Sequence, residues 1–353
     1  MVRLVSAAIR RRLANQIRTI ALCVLVCSIG TASADAASLE TKPDNLLVEG
    51  IASPLNVHSA NPRLSWHSNV SKQSHYQIQV GLDPASLALG SALSWDSGKI
   101  ASAKSINVEY SGKQLETGGT AFWRVRVWQE GADEASEWSD TGFWQMGLLA
   151  KSDWQAHWIQ AARPTIAENS TALERWIAFA ANEAVLKDEV QEHVLEKLRD
   201  QPTASLFRRQ FSVSKMLIRA KLHSTAAGYY EIFVNGEKIS DRLMDPGQTD
   251  YAKRILYNTD DVTSLVADGS NTIAVHLGSA WYNEEIAFSK PDRDLSYGRP
   301  SFIVQLELYY DDGSSEFVTT DDQWLSYPSP ILKEGLFSGE FYDAAKIVRG
   351  WNT

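Results

Sequence analysis

Residues 228–239, reading Gly-Tyr-Tyr-Glu-Ile-Phe-Val-Asn-Gly-Glu-Lys-Ile, constrain the fold more than any other stretch of the chain. Asn235-Gly236 supplies the two residues that accept φ > 0 in a type I′ turn. Strand formers precede the turn and Glu-Lys-Ile follows it, so the stretch reads as a two-residue β-hairpin. Such a turn sets the register, with Val234 opposite Glu237, Phe233 opposite Lys238 and Ile232 opposite Ile239. One face then carries Tyr230, Ile232 and Ile239, and a ribbon with one apolar face needs a cover.

Candidates for the cover follow in the chain. Asp268-Gly269 opens residues 271–278, where Ile273, Val275 and Leu277 alternate with Thr272, Ala274 and His276. Residues 302–310 alternate again, with Phe302, Val304, Leu306 and Leu308 on one face, before Asp312-Gly313 turns the chain into residues 316–320. Strand pairs with one apolar face each close most economically on one another. The expectation for residues 205–353 is an antiparallel sandwich of jelly-roll type.

A chain of 353 residues is too long for one small sandwich. Residues 43–148 contain short strands at regular spacing, at 63–66, 76–80, 105–110 and 121–128, separated by Gly81 with Asp83-Pro84, by Asp96-Ser-Gly98 and by Gly118-Gly119. That spacing is the pattern of an immunoglobulin-like or fibronectin type III sandwich. Within it, Arg124, Arg126 and Trp128 share one strand face, and Trp138 is placed to lie between the guanidinium planes, as a structural Arg–Trp ladder in preference to an aromatic sugar platform. Between the sandwiches, residues 149–204 form a linker. There Phe179, Leu186, Val190, Val194 and Leu198 recur at helical spacing up to Pro202, so a helical insert is expected. The fold class is therefore all-β, two sandwiches with a helical insert between them.

Residues 1–36 read as a signal peptide. Arg3, Arg10, Arg11, Arg12 and Arg18 precede an apolar run over 20–29, and small residues follow at Ala32-Ser33-Ala34 and Ala34-Asp35-Ala36. The run is too short to cross a bilayer. The expectation is a periplasmic or extracellular protein, with no membrane association after cleavage. Both cysteines, Cys23 and Cys27, lie inside this leader, so the mature chain has no disulfide and no thiol chemistry. Losing five Arg and one Asp moves the formal charge from −9 to −13, which argues against a nucleic-acid partner and leaves neutral ligands such as sugars open.

The seven histidines, at 58, 67, 75, 157, 193, 223 and 276, show none of the spacings of a metal site, and there is no nucleophile elbow or phosphate loop. No cofactor and no metal are expected. Glu284, Glu285, Asp292 and Asp294 sit on or near one loop, where acidic residues are ordinarily solvated, so none is assigned a catalytic role. Trp281 and Tyr282, on the same loop, are the candidates for saccharide contact, with core packing or a domain interface the preferred alternative.

The chain resembles the N-terminal part of bacterial α-L-rhamnosidases. The first sandwich is similar to their leading fibronectin-like module through Asn61-Pro-Arg-Leu-Ser-Trp66, Trp95-Asp-Ser-Gly98, Phe122-Trp-Arg-Val-Arg-Val-Trp128 and Ser136-Glu-Trp-Ser139. Asp153-Trp-Gln-Ala-His-Trp-Ile159 matches the joint that follows. The second resembles their β-sandwich ahead of the catalytic domain through Phe207-Arg-Arg-Gln-Phe211, Gly228-Tyr-Tyr-Glu-Ile-Phe-Val-Asn-Gly236, Asp245-Pro-Gly247, Thr249-Asp-Tyr251, Gly278-Ser-Ala-Trp-Tyr282 and Gly339-Glu-Phe-Tyr-Asp343. Ala345 departs from the pattern, where the family often has an arginine.

The resemblance implies an accessory, non-catalytic portion of a secreted glycoside hydrolase, because the family's catalytic carboxylates lie in an (α/α)6 barrel after these modules. The partners it implies are a rhamnose-containing glycan and that barrel, separately encoded if need be. A stand-alone carbohydrate-binding sandwich and a structural scaffold are the alternatives.

Overall fold

The computed structural model of the chain describes residues 42–161, 204–284, 295–336 and 339–353. The first sandwich is built from β1 (Asp44–Val48), β2 (Arg63–His67), β3 (Gln73–Gly81), β4 (Trp95–Asp96), β5 (Ile100–Ala101), β6 (Val108–Glu109), β7 (Thr120–Gln129) and β8 (Gly142–Gln145). One sheet has the order β1-β2-β6 and the other β4-β3-β7-β8, with β5 also paired to β3. The period-2 pattern of β7 is what places Trp123, Val125 and Val127 in the core beside Leu64, Ile78 and Trp144.

The second sandwich comprises β9 (Ser205–Val213), β10 (Leu217–Ala227), β11 (Tyr229–Val234), β12 (Glu237–Lys238), β13 (Asn258–Asp261), β14 (Gly269–Gly278), β15 (Asn283–Glu284), β16 (Leu295–Ser296), β17 (Ser301–Tyr310), β18 (Ser315–Thr319), β19 (Leu325–Pro328), β20 (Ile331–Gly335) and β21 (Gly339–Tyr342). A four-stranded sheet, β13-β10-β17-β18, faces a five-stranded sheet, β12-β11-β14-β9-β19. Ile232 and Val275 from one and Leu222, Phe302 and Leu306 from the other meet in one core. The opening hairpin has the register its turn dictates. Asn235 and Gly236 sit at φ 51° and 86°, Phe233 pairs with Lys238, Val234 pairs with Glu237, and Ile239 N–H donates to the Ile232 carbonyl at 3.1 Å.

The expected fold class needs one correction. Among the described residues the longest helix is α1 (Pro84–Leu89), six residues, and the rest of the helical content is short 3-10 turns. The described architecture is two β-sandwich regions without a substantial helix, and the helical spacing over 179–198 falls on residues 162–203, outside the described residues. Helix α1 stands where a plain turn was expected. Asp83 caps it, accepting from Ser86 N–H at 2.8 Å, and Pro84 supplies a preset φ at its start. The leader, residues 1–36, also lies outside the described residues.

Alternation over 302–308 implied one buried face, yet Ile303, Gln305 and Glu307 are buried as well as Phe302, Val304, Leu306 and Leu308. The reason is tertiary. The outer face of the four-stranded sheet is covered by the first sandwich and by the residues that link the two. Arg219 donates to Gln145 at 3.0 Å, Gln305 accepts from the Gln155 amide at 2.7 Å, and the Tyr257 hydroxyl accepts from Leu148 N–H at 2.6 Å.

Candidate functional site

Strand β14 ends at Gly278, opposite Tyr229, in a place with no room for a side chain on either glycine nearby. A Cβ at Gly278 would lie 2.6 Å from a Glu334 carboxylate oxygen, and one at Gly228 would collide with the Gly278 carbonyl. Glu334 also accepts from Ser279 N–H at 2.6 Å, which turns the chain out of the sheet. A 3-10 turn over Ala280–Tyr282 follows, with Ala280 at φ 48°. Trp281 and Tyr282 are both half-buried there. Burial raises the Tyr229 hydroxyl above its usual pKa, partly offset by the hydrogen bond from Trp281.

Three tyrosines meet beyond this turn. The ring of Tyr282 stacks on that of Tyr297 at 5.9 Å and 24°, and Tyr251 stands edge-on to both at 5.3 Å. These are favourable offset and edge-to-face geometries. Tyr297 arrives through the β15–β16 pairing, and its N–H donates to the Tyr282 carbonyl at 2.9 Å. Tyr251 arrives on the loop over residues 240–257. That loop is pinned by Arg242, which grips Asp245 and Asp260, and by Asn258, which donates to Asp245. The Tyr251 hydroxyl is buried and has no hydrogen-bond partner. Burial pushes its pKa up, with the neighbouring Tyr229 and Tyr297 hydroxyls adding to the effect.

A second polar cluster lies in the joint between the sandwiches. Lys221, 1 % exposed, places Nζ 2.9 Å from Glu307, which also accepts from the Tyr309 hydroxyl. His223 lies 3.4 Å from the other Glu307 oxygen and shares a hydrogen bond with Thr259 at 2.8 Å. Burial acts to raise the Glu307 carboxyl, but His223, Tyr309 and the Lys221 charge outweigh it and hold the group far below the usual carboxylate range. Tyr257, packed on Trp154 and His223, is pushed up to about 12 by burial.

These environments bear on catalysis. A general acid for glycoside cleavage needs a carboxyl raised towards neutrality. Each described carboxyl whose surroundings shift it clearly is shifted down instead. Among the described residues no group of three or more His, Cys, Asp or Glu is placed to hold a metal, and no helix is long and apolar enough to cross a membrane. A cavity of about 310 Å³ lies at the β9–β19 edge, lined by Arg208, Arg209, Gln210, Gln323 and Leu325. Arg208 bonds to the carbonyls of Gly350 and Thr353 and Arg209 bonds through Nη1 to Asp321, while the buried Arg209 Nε has no hydrogen-bond partner.

Of the two expected residues, Tyr282 packs with Tyr251 and Tyr297, whereas Trp281, beside it on the same 3-10 turn, hydrogen-bonds to Tyr229. Tyr251 and Tyr297 stand in short turn-rich stretches, Thr249-Asp-Tyr251 and Ser296-Tyr-Gly298, but nothing local says that they converge. The backbone of Glu284 lies on β15, while Glu285, Asp292 and Asp294 fall outside the described residues. The Arg–Trp ladder of the first sandwich is present, with Arg124 and Arg126 stacked 4.4 Å and 4.7 Å from Trp138.

Two family models account for the two sandwiches in chain order. Residues 43–150 match the Rha78A-like N-terminal immunoglobulin domain, and residues 215–353 match the α-L-rhamnosidase N-terminal domain. The class is therefore a pair of N-terminal β-sandwich domains of the rhamnosidase type. An α-L-rhamnosidase of Alteromonas sp. (strain LOR) is 35% identical over 95% of this chain and 34% of its own length. The solved α-L-rhamnosidase structure from Dictyoglumus thermophilum superposes with a TM-score of 0.71 at 31% identity, covering 88% of this chain and 32% of that one. That of Streptomyces avermitilis, complexed with L-rhamnose, gives a TM-score of 0.73 at 26% identity over 88% and 43%. The chain corresponds to the N-terminal, non-catalytic portion of α-L-rhamnosidases, and spans about a third of the length of the curated relatives at 31–35% identity.

Proposed function

We propose that this chain is the accessory part of an exported α-L-rhamnosidase and serves a catalytic domain that removes terminal rhamnose from glycosides. The observation that carries this reading is the match of both sandwiches, in order, to the N-terminal domains of such enzymes. Two properties of the fold support it. Hydrogen bonds from Arg219 to Gln145, from Leu148 N–H to the Tyr257 hydroxyl and from Asn56 to the Tyr257 carbonyl join the sandwiches to one another, and each described carboxyl that its surroundings shift clearly is shifted down, away from the range of a general acid. A second reading, saccharide contact at Trp281 and Tyr282, is favoured by the aromatic cluster that Tyr282 enters.

The test is hydrolysis of an aryl α-L-rhamnoside by the purified chain and by a chimera in which it replaces the matching region of the Alteromonas relative. The chain alone should give no turnover and the chimera should turn over substrate. Hydrolysis by the chain alone would overturn the accessory reading.

A further inference from the structure

Of the buried polar side-chain atoms left without a partner, the Tyr251 hydroxyl is the one enclosed by a cluster of other tyrosines. We propose that the Tyr251–Tyr282–Tyr297 cluster is a subsite for a neutral pyranoside, with Tyr297 rather than Trp281 as its stacking face. This rests on the reading of the chain as part of a glycosidase, and it names residues and a ligand class that the reading does not.

Geometry selects Tyr297. Its residue surface is 56% exposed, while its ring is backed by Tyr282 at 5.9 Å and braced edge-on by Tyr251 at 5.3 Å. An exposed ring held from behind offers a flat face at little further cost in side-chain entropy. Trp281 is half-buried and hydrogen-bonded to Tyr229, which makes it a support for the site and not its face.

Chemistry selects the ligand. Among the described residues, the groups whose charge reaches the Tyr251 hydroxyl are Tyr229 and Tyr297. Among the described residues an anion finds no cation to meet it, and an alkylammonium group, which only donates, leaves the phenol O–H groups without an acceptor. A pyranoside satisfies both features of the site, since its C–H face lies on the ring and its hydroxyls bond to phenols. The Tyr251 hydroxyl is closed to water in the free chain. A small displacement of Tyr297 on docking opens it to a sugar hydroxyl and gives it the partner it lacks.

The experiment is a titration of the full chain, followed by NMR of the aromatic region, with methyl α-L-rhamnopyranoside, methyl α-D-glucopyranoside and glucuronate. At least one neutral glycoside should give saturable shifts, and glucuronate should bind more weakly. Tyr297→Ala should weaken binding by about tenfold while the chain stays folded, with only a small fall in melting temperature from the lost ring contacts. Tyr251→Phe, which keeps the ring, should weaken it by a smaller factor. Absence of saturable shifts, preference for glucuronate, or undiminished binding by Tyr297→Ala would overturn the proposal. The chimera keeps the two readings apart. An active chimera with no binding at Tyr297 removes this subsite and leaves the accessory role standing. Saturable binding lost in Tyr297→Ala supports the subsite whatever the chimera does.

Discussion

Two aromatic clusters, one on each sandwich, differ in how completely their polar atoms are bonded. On the first, Arg124 donates Nε and Nη2 to the Gln79 side chain and Arg126 does the same to Gln77, while both glutamines donate to Asp96. Trp138 lies over both guanidiniums. On the second, the rings of Tyr251, Tyr282 and Tyr297 are well packed but the Tyr251 hydroxyl is orphaned. The ladder has little left to offer a ligand. Aromatic content alone does not separate a structural cluster from a receptive one; the state of its hydrogen bonds does.

The joint is more deeply buried than either: Lys221 and Tyr309 are bonded to Glu307, while His223 Nε2 stands 3.4 Å from that carboxylate without a hydrogen bond, and the joint supplies the largest expected effect. Glu307→Ala leaves the Lys221 ammonium buried with no counter-charge, and breaking such a pair costs about 3–5 kcal/mol. Chemical denaturation should show this loss. A change within about 0.5 kcal/mol would mean that Lys221 finds water or another acceptor, and the joint would then not be a closed cluster.

Acid should weaken the same joint. Burial lowers the His223 pKa below its ordinary value of 6.5, so below that pH the unfolded chain binds a proton that the folded chain resists, and stability falls. The depressed Glu307 carboxyl adds stability that is present above its ordinary value of 4.5 and is lost as pH falls through the folded value. Both contributions have the same sign. The melting temperature should drop from pH 7 to pH 5, and His223→Gln should flatten the upper part of that drop. A flat profile in the parent chain would contradict the burial of His223.

Much of this was readable from the residues and some was not, for physical reasons. The Asn235-Gly236 turn fixes register locally, and β7 announces its buried face by alternation, so both strands and ladder followed from sequence. The burial of Gln305 and Glu307 did not, because the covering surface comes from another sandwich and leaves no mark on the strand's own period. Helical spacing over 179–198 invited a helix in the fold description that the described residues do not support. At the site, Trp281 and Tyr282 are adjacent in sequence and were visible, whereas Tyr251 and Tyr297 come from separate loops. Their convergence depends on Arg242, Asp245 and the β15–β16 pairing, which are tertiary facts.

A moderate effect is expected at the ladder. Trp138→Ala removes two cation–π contacts at a half-exposed position, a loss of about 1–2 kcal/mol. It should not alter glycoside binding at all. A binding defect in this variant would show that the bonded cluster is receptive after all and would dissolve the contrast drawn above.

The smallest effect, that of Tyr251→Phe, is the most discriminating when set beside Tyr309→Phe, because one chemical change is made in both kinds of cluster. Tyr309→Phe removes a hydroxyl that donates to the buried Glu307 carboxylate, and a hydrogen bond to a charged group contributes about 1.5–3 kcal/mol. Tyr251→Phe removes a hydroxyl that is buried and bonded to nothing. Taking away a desolvated, unbonded polar atom while keeping the ring should leave stability unchanged or raise it by up to about 1 kcal/mol. The two variants should therefore move the denaturation midpoint in opposite directions, or one downward and the other not at all. A loss of more than about 1 kcal/mol in Tyr251→Phe would show that the hydroxyl is already satisfied in solution, and the case for an open position in the cluster would fall with it.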